Sequence, residues 1–145
     1  VGSGDYELYE EYYQNTQLKV SFKRKTKSND FYSPDIYEFT RYEDSGLIVD
    51  QGFCAVPPSQ NFQKDYCPGF TGLRTLYDDK KELLQSESYK EGKLDGLLIY
   101  YDRLKKKKEI LSYEKGIKKK LEILDLNSNK VIKTHEYFDD GSVKK

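Results

Sequence analysis

The sequence predicts an all-β fold, built from consecutive antiparallel β-hairpins of about 24 residues stacked into one elongated, twisted single sheet. Three observations carry this expectation. First, the chain repeats itself: GLRTLYDDKKELLQSESYKEGKLD from Gly72, GLLIYYDRLKKKKEILSYEKGIKK from Gly96 and KLEILDLNSNKVIKTHEYFDDGSV from Lys120 lie under one another. Tyr89, Tyr113 and Tyr137 fall 24 apart, as do Gly92 and Gly116, with Gly141 one place late and Leu73, Leu97 and Leu121 as a further column. Second, turn-forming residues recur every 10–12 positions, which leaves room for hairpins and little for helices. Third, only 36% of residues are hydrophobic against 34% charged, and the chain holds 14 Tyr and 7 Phe but no Trp or Met. Such a composition cannot fill a thick core. Aromatic side chains that bury much area and keep a hydroxyl at the wet edge suit a thin sheet.

In chain order, Val1 to Gly4 read as an expression-tag remnant or a linker left by signal-peptide removal, and are set aside from the fold. Residues 5–53 hold two degenerate hairpin units. The first has Tyr12 and Tyr13, a polar turn over Gln14–Gln17, then alternating Leu18, Val20 and Phe22, a strand signal. A connector follows over Ser28–Asp35. The second unit alternates Tyr37, Phe39 and Arg41, turns at Glu43–Gly46 and returns over Leu47–Phe53. Residues 54–70 hold both cysteines and three of the four prolines, and read as an irregular inserted loop. Residues 71–145 are three repeats of short strand, polar turn and longer strand. In the clearest of them the strand Leu97–Tyr101 turns at Asp102–Lys105, returns over Lys106–Tyr113, and passes through Glu114–Lys119 to the next unit. The lysines and glutamates of KKELLQSESYKEGK favour helix in isolation. The aligned copies KKEILSY and KVIKTHEY carry β-branched and aromatic residues in the same slot, and strand wins. The whole is one domain by length.

The segments SYKEGKLDGLLIYYD, SYEKGIKKKLEILD and EEYYQNTQLKVSFK resemble the variant MORN repeat, whose units run approximately Tyr-x-x-Gly-x-x-x-Gly-x-x-x-x-Tyr-Tyr before a turn and a return strand. The match is best at Tyr89, Gly92, Gly96, Tyr100 and Tyr101, and is carried on by Tyr113, Gly116 and Tyr137. At the next junction Lys120 replaces the second glycine and Leu124–Asp125 the tyrosine pair. The resemblance implies a scaffolding or dimerising protein, an antitoxin-like partner of a toxin in bacterial members, or an acidic-phospholipid binder in others. Its units are expected to lean on their neighbours, because a lone hairpin is marginal in water. Tyr89, Tyr113 and Tyr137 should then stack as a ladder, with Leu73, Leu97 and Leu121 as a parallel row.

Candidate chemistry is sparse. Cys54 and Cys67 flank the Pro-rich insertion 13 residues apart, and a disulfide there would pin the loop and place the protein in the periplasm or outside the cell. Free thiols in a cytoplasmic protein are the other reading. No metal site is expected, because no CxxC or second pair exists. His135 is the only histidine and reads as a sheet residue, not a base. No nucleophile elbow, phosphate loop or zinc-protease pattern is present, so neither an enzyme nor a cofactor is expected.

The runs Lys105, Lys106, Lys107, Lys108 and Lys118, Lys119, Lys120 are candidate anion-binding residues, expected to be brought together by neighbouring hairpins. The favoured reading of the same runs is a solvated edge that guards against aggregation, with Glu109, Glu114 and Glu122 interleaved. Residues 1–69 hold 7 Lys/Arg and 11 Asp/Glu, a net −4, while residues 70–145 hold 18 and 14, a net +4. That polarity suits head-to-tail association and falls short of a nucleic-acid domain. No run reaches the roughly 20 apolar residues of a membrane helix. The expected function is a non-enzymatic protein-interaction or scaffold module, exported, with a protein partner and a homodimer as a candidate state. A cytosolic antitoxin-like role and anionic lipid binding are the alternatives.

Overall fold

Among the described residues ten strands follow one another across a single open antiparallel sheet in the order of the chain, so each inner strand pairs with the one before it and the one after. The structure is a computed structural model and describes residues 7–26, 33–56, 67 and 69–144. The strands are β1 (Leu8–Tyr12), β2 (Leu18–Thr26), β3 (Asp35–Tyr42), β4 (Ile48–Val56), β5 (Phe70–Tyr77), β6 (Leu83–Lys90), β7 (Lys93–Asp102), β8 (Lys107–Glu114), β9 (Ile117–Asp125) and β10 (Val131–Glu136). No helix occurs among the described residues. With strands about 4.8 Å apart, the sheet is about 43 Å across.

The expected stacked hairpins are present, with shifted boundaries. Asp35, expected in the connector, opens β3, and residues 28–32 of that connector lie outside the described residues. The inserted loop is shorter than expected, because Cys54 and Val56 continue β4 and Phe70 begins β5. The alternation explains this: Cys54 pairs with Tyr37 and Val56 with Asp35, and both point into the same buried face. Residues 57–66 and 68 lie outside the described residues. Glu114–Lys119 does not ferry the chain to a separate unit. It is a two-residue hairpin in which Glu114 faces Ile117. Lys115 (φ 50°) and Gly116 (φ 85°) both take left-handed backbone, as do Glu91 (φ 53°) and Gly92 (φ 79°), the pattern of a type I′ turn.

Turns at the opposite end of the strands are longer and bind their neighbours. Tyr13 Oη donates to the Tyr42 carbonyl at 2.8 Å, Asn15 Nδ2 to the Asp44 carbonyl at 3.1 Å, and Leu126 N to the Lys106 carbonyl at 3.0 Å. Asp78, Asp102 and Asp125 each cap their own turn by accepting backbone N–H groups. These bonds supply the lateral support that an isolated hairpin lacks.

The core lies on one face of β2–β4. Val20, Phe22, Tyr37, Phe39, Cys54 and Val56 are buried there, and Cys67 joins the same cluster. Rings run across this face as a ladder: Tyr9 to Phe22 at 6.0 Å, Phe22 to Phe39 at 5.0 Å, Phe39 to Phe70 at 5.7 Å and Phe70 to Tyr89 at 5.6 Å. Phe39 and Phe70 belong to strands that are not neighbours. They meet because β4 places Gly52 between them, opposite Phe39. A Cβ on Gly52 would sit 3.1 Å from Phe70 Cδ1 and 3.3 Å from Arg74 Cβ. Gly52→Val therefore displaces the Phe70 ring and is expected to lose about 1–3 kcal/mol of stability by overpacking, read as a lower urea midpoint.

Two expectations about the repeat columns change. The ring contacts join Tyr89 to Phe70, and among the described residues none joins it to Tyr113. Tyr89 and Tyr113 lie two strands apart, with Leu94 and Gly96 of β7 set between them. Leu121 also leaves its column. Leu97 faces Ser112, whereas Leu121 faces Leu111 on the other side of the sheet. The bulge of β9 between the partners of Tyr113 and Leu111 is one residue shorter than the bulge of β7 between the partners of Tyr89 and Glu87. A one-residue slip exchanges faces, so Leu121 occupies the slot of Leu98.

Candidate functional site

Two surfaces and one buried network account for the residues that carry chemistry. The network lies on the ladder face, where pairing sets Arg41 opposite Asp50 and Arg74 opposite Glu87. Arg74 donates from Nε to Asp50 Oδ1 at 2.9 Å and from Nη2 to Asp50 Oδ2 at 2.7 Å, a two-pronged bond. Its Nη1 reaches Glu87 Oε1 at 3.2 Å, and the guanidinium lies 4.2 Å from the Phe70 ring centre. Glu87 also accepts from Tyr89 Oη at 2.9 Å and Gln85 Nε2 at 2.6 Å.

Asp50 is 2% exposed and Glu87 8%, so both carboxylates depend on these donors. Hydrogen bonding to Asp50 holds the Arg74 guanidinium charged, well above its ordinary range, against the opposing effect of burial. Burial, with the bond to Glu87, pushes the Tyr89 phenol up. All groups in this network are satisfied by one another, and its chemistry is that of a strut. The sequence reading passed over Arg74, although a signal existed: Arg24, Arg41, Arg74 and Arg103 are the only arginines in a chain rich in lysine. Each of the four is in an ion pair.

The first surface is the face opposite the ladder. Leu73 and Leu97 remain 56% and 47% exposed on it. They share this face with Phe53, Ile99 and Ile110, since Phe53 pairs with Thr71, Leu97 with Ser112 and Ile99 with Ile110. A shallow concavity whose lining includes Glu38, Thr40, Gln51, Phe53, Leu73 and Thr75 opens at one end of this strip.

The second surface holds the lysines, and the expected juxtaposition does not occur. Lys105 and Lys106 are in the β7–β8 turn, and Lys107 and Lys108 open β8, while Lys118, Lys119 and Lys120 open β9, which runs the other way. Lys120 faces Ser112, four residues along β8 from Lys108, or about 13 Å. The two runs thus occupy opposite ends of their hairpin. Lys107 faces Asp125, and Lys108 Nζ donates to Asn129 Oδ1 at 3.0 Å. Lys118 lies 4.1 Å from the Tyr137 ring centre, Lys119 pairs with Asp139, and Lys120 lies 3.6 Å from Glu122. Lys119 and Lys120 instead share an open concavity with Lys144, Ser112 and Tyr137, where Glu136 and Asp139 also stand.

Of the repeat-defining residues, Tyr89, Tyr113 and Tyr137 lie on the ladder face. Tyr100 faces Gln85 on that side and Tyr101 the opposite one, while Gly96 lies across from Tyr113 in a bulge. Tyr137 is buried and its ring lies 6.5 Å from that of His135, a half-buried residue of β10. The sulfurs of Cys54 and Cys67 lie at bonding distance, 2.05 Å. Among the described residues no three His, Cys, Asp or Glu side chains converge as metal ligands. No family model, curated protein or solved structure matches the chain.

Proposed function

We propose that this chain is a non-enzymatic protein-interaction or scaffold module that works outside the cytosol and offers the face opposite its ring ladder to a protein partner. The observation that carries the reading is the uncovered strip around Leu73 and Leu97 on one face of the sheet. Apolar side chains left in water on a surface of this width mark a contact site more often than a spare core. The sheet is fixed from beneath by the Arg74 network and the β2–β4 core, so the strip is presented with little ordering cost. The Cys54–Cys67 pair supports an oxidising compartment and weighs against the antitoxin-like cytosolic role. The resemblance to variant MORN repeats supports a scaffold of this shape. Separation of the lysine runs, and the carboxylates beside Lys119 and Lys120, weigh against anionic lipid as the main ligand.

The test is crosslinking capture from the native source with the wild-type chain and with the double variant Leu73→Lys, Leu97→Lys. A protein retained saturably by the wild type and released by the variant, at unchanged melting temperature, is the expected result. Equal retention by both, or retention of anionic vesicles in its place, defeats the proposal.

A further inference from the structure

We infer, resting on the reading of the Leu73–Leu97 strip as a contact surface, that its occupant is a second copy of this chain, packed face to face about a two-fold axis along β6. Leu73 and Leu97 hold the same position in adjacent repeats, one strand to either side of β6. Each follows a glycine of left-handed backbone at a break in the pairing register, Gly72 (φ 71°) and Gly96 (φ 104°), and each is left in water. Between them β6 offers the small Ser88, with Ser86 next to it on the same face. The result is a furrow floored by serine between two leucine ridges. A second copy turned over about β6 sets its Leu97 against Leu73 and its Leu73 against Leu97.

Charges on the same row select this axis and this register. Across the face, pairing sets Lys23 beside Glu38 and Glu38 beside Phe53 on one flank, and Ser112 beside Lys120 and Lys120 beside Glu136 on the other. The order from β2 to β10 is thus plus, minus, an uncharged centre, plus, minus. About an axis on β6, β2 meets β10 of the other copy and β3 meets its β9, which puts Lys23 over Glu136 and Glu38 over Lys120. A slip of one strand puts Glu38 over Glu136 in one direction and Lys23 over Lys120 in the other. Turning the second copy end for end, with the axis along the row, stacks lysine on lysine and glutamate on glutamate. Of these arrangements only the axis along β6 opposes unlike signs on both flanks. Glu38 lies 3.7 Å from Lys25, and Lys120 3.6 Å from Glu122, within one chain, so contacts between copies extend existing pairs and bury no charge alone.

The natural twist of a β-sheet permits contact across this width. A two-fold along a strand carries a saddle-shaped surface onto one of the same hand and curvature, so two copies about 10 Å apart stay in step and do not diverge at their corners. From β3 to β9 the face spans about 29 Å, and six residues of strand about 20 Å, a footprint of about 600 Å² per copy. That is the lower end of the range for specific interfaces, and sets the expected dissociation constant in the micromolar range. The union is isologous, so it closes at two copies.

Sedimentation velocity on the whole chain, joined to crosslinking, tests this. The wild type is expected to form a concentration-dependent dimer and nothing larger. Leu73→Lys lowers the association constant at least about hundredfold, because the change enters the centre twice. Glu38→Lys and Lys120→Glu each lower it about tenfold at an unchanged melting temperature, and the double swap restores most of the loss. With the native cysteines paired, a bis-maleimide of about 10 Å joins Ser88→Cys to itself across the axis and fails to join Thr40→Cys, which lies about 29 Å from its own copy. A wild type monomeric at about 1 mM, a dimer indifferent to Leu73→Lys or to Glu38→Lys, species beyond the dimer, or equal crosslinking of both cysteine variants overturns the two-fold. A monomer that still retains a different protein through Leu73 and Leu97 in the capture experiment overturns self-pairing alone and leaves the contact surface standing. A monomer that retains nothing defeats both.

Discussion

Arg74→Ala lowers stability by about 3 kcal/mol or more, the largest effect expected of any single side chain here. The loss does not come mainly from the bonds themselves. It comes from leaving two buried carboxylates short of their closest cation, Glu87 with none and Asp50 with only the more distant Arg41 at 3.8 Å. For a slope near 2 kcal/mol/M, the urea midpoint falls by about 1.5 M. A triple variant separates charge from packing: Arg74→Met with Asp50→Asn and Glu87→Gln removes all three charges at similar volume, and is expected to recover most of the loss. If Arg74→Ala unfolds at the wild-type midpoint, the network is ornamental. If the triple variant is no better than the single, stacking of the guanidinium on Phe70 carries the stability and the ion pairs do not.

Removing the Cys54–Cys67 link by the double change to Ser costs about 3 kcal/mol in the chain-entropy model, through the greater freedom of the unfolded chain. Placement adds to this. Both cysteines are buried in the cluster with Val20, Phe22, Tyr37, Phe39 and Val56, so two hydroxyls replace sulfurs on the dry side of the sheet. Reducing the wild type is expected to lower the urea midpoint by a comparable amount, a measurement that leaves the sequence intact. Unfolding curves that coincide with and without reductant show that the link is dispensable. A loss confined to the Ser variant assigns the effect to burial of the hydroxyls.

The repeat made the architecture legible, and particular residues show where legibility stopped. Tyr89, Tyr113, Gly92 and Gly116 mark hairpins because strand and turn chemistry are local, and local chemistry is written in neighbouring residues. The partner of Phe70 is a different matter. It depends on Gly52 vacating the space above an intervening strand, a relation among three strands that no spacing within one copy records. Leu121 was misplaced for a related reason: a shorter bulge shifts the third copy by one, and period-two geometry turns that shift into a change of side. Arg74 was missed because its role is created by Asp50 and Glu87 arriving from neighbouring strands. The lysine runs were seen but set together, since direction of travel along β8 and β9 decides their separation and composition does not.

The uneven burial along the sheet gives the molecule a grain. A cross-linked, aromatic-packed block at β2–β4 holds one end, and beyond the Arg74 network the later hairpins keep most side chains only half covered. Strands there can part from the free margin inward, one after another, while the block stays whole. A pull on the β10 side should therefore peel the protein like tape from a fixed backing, and regrowth should proceed outward from the same anchored rungs.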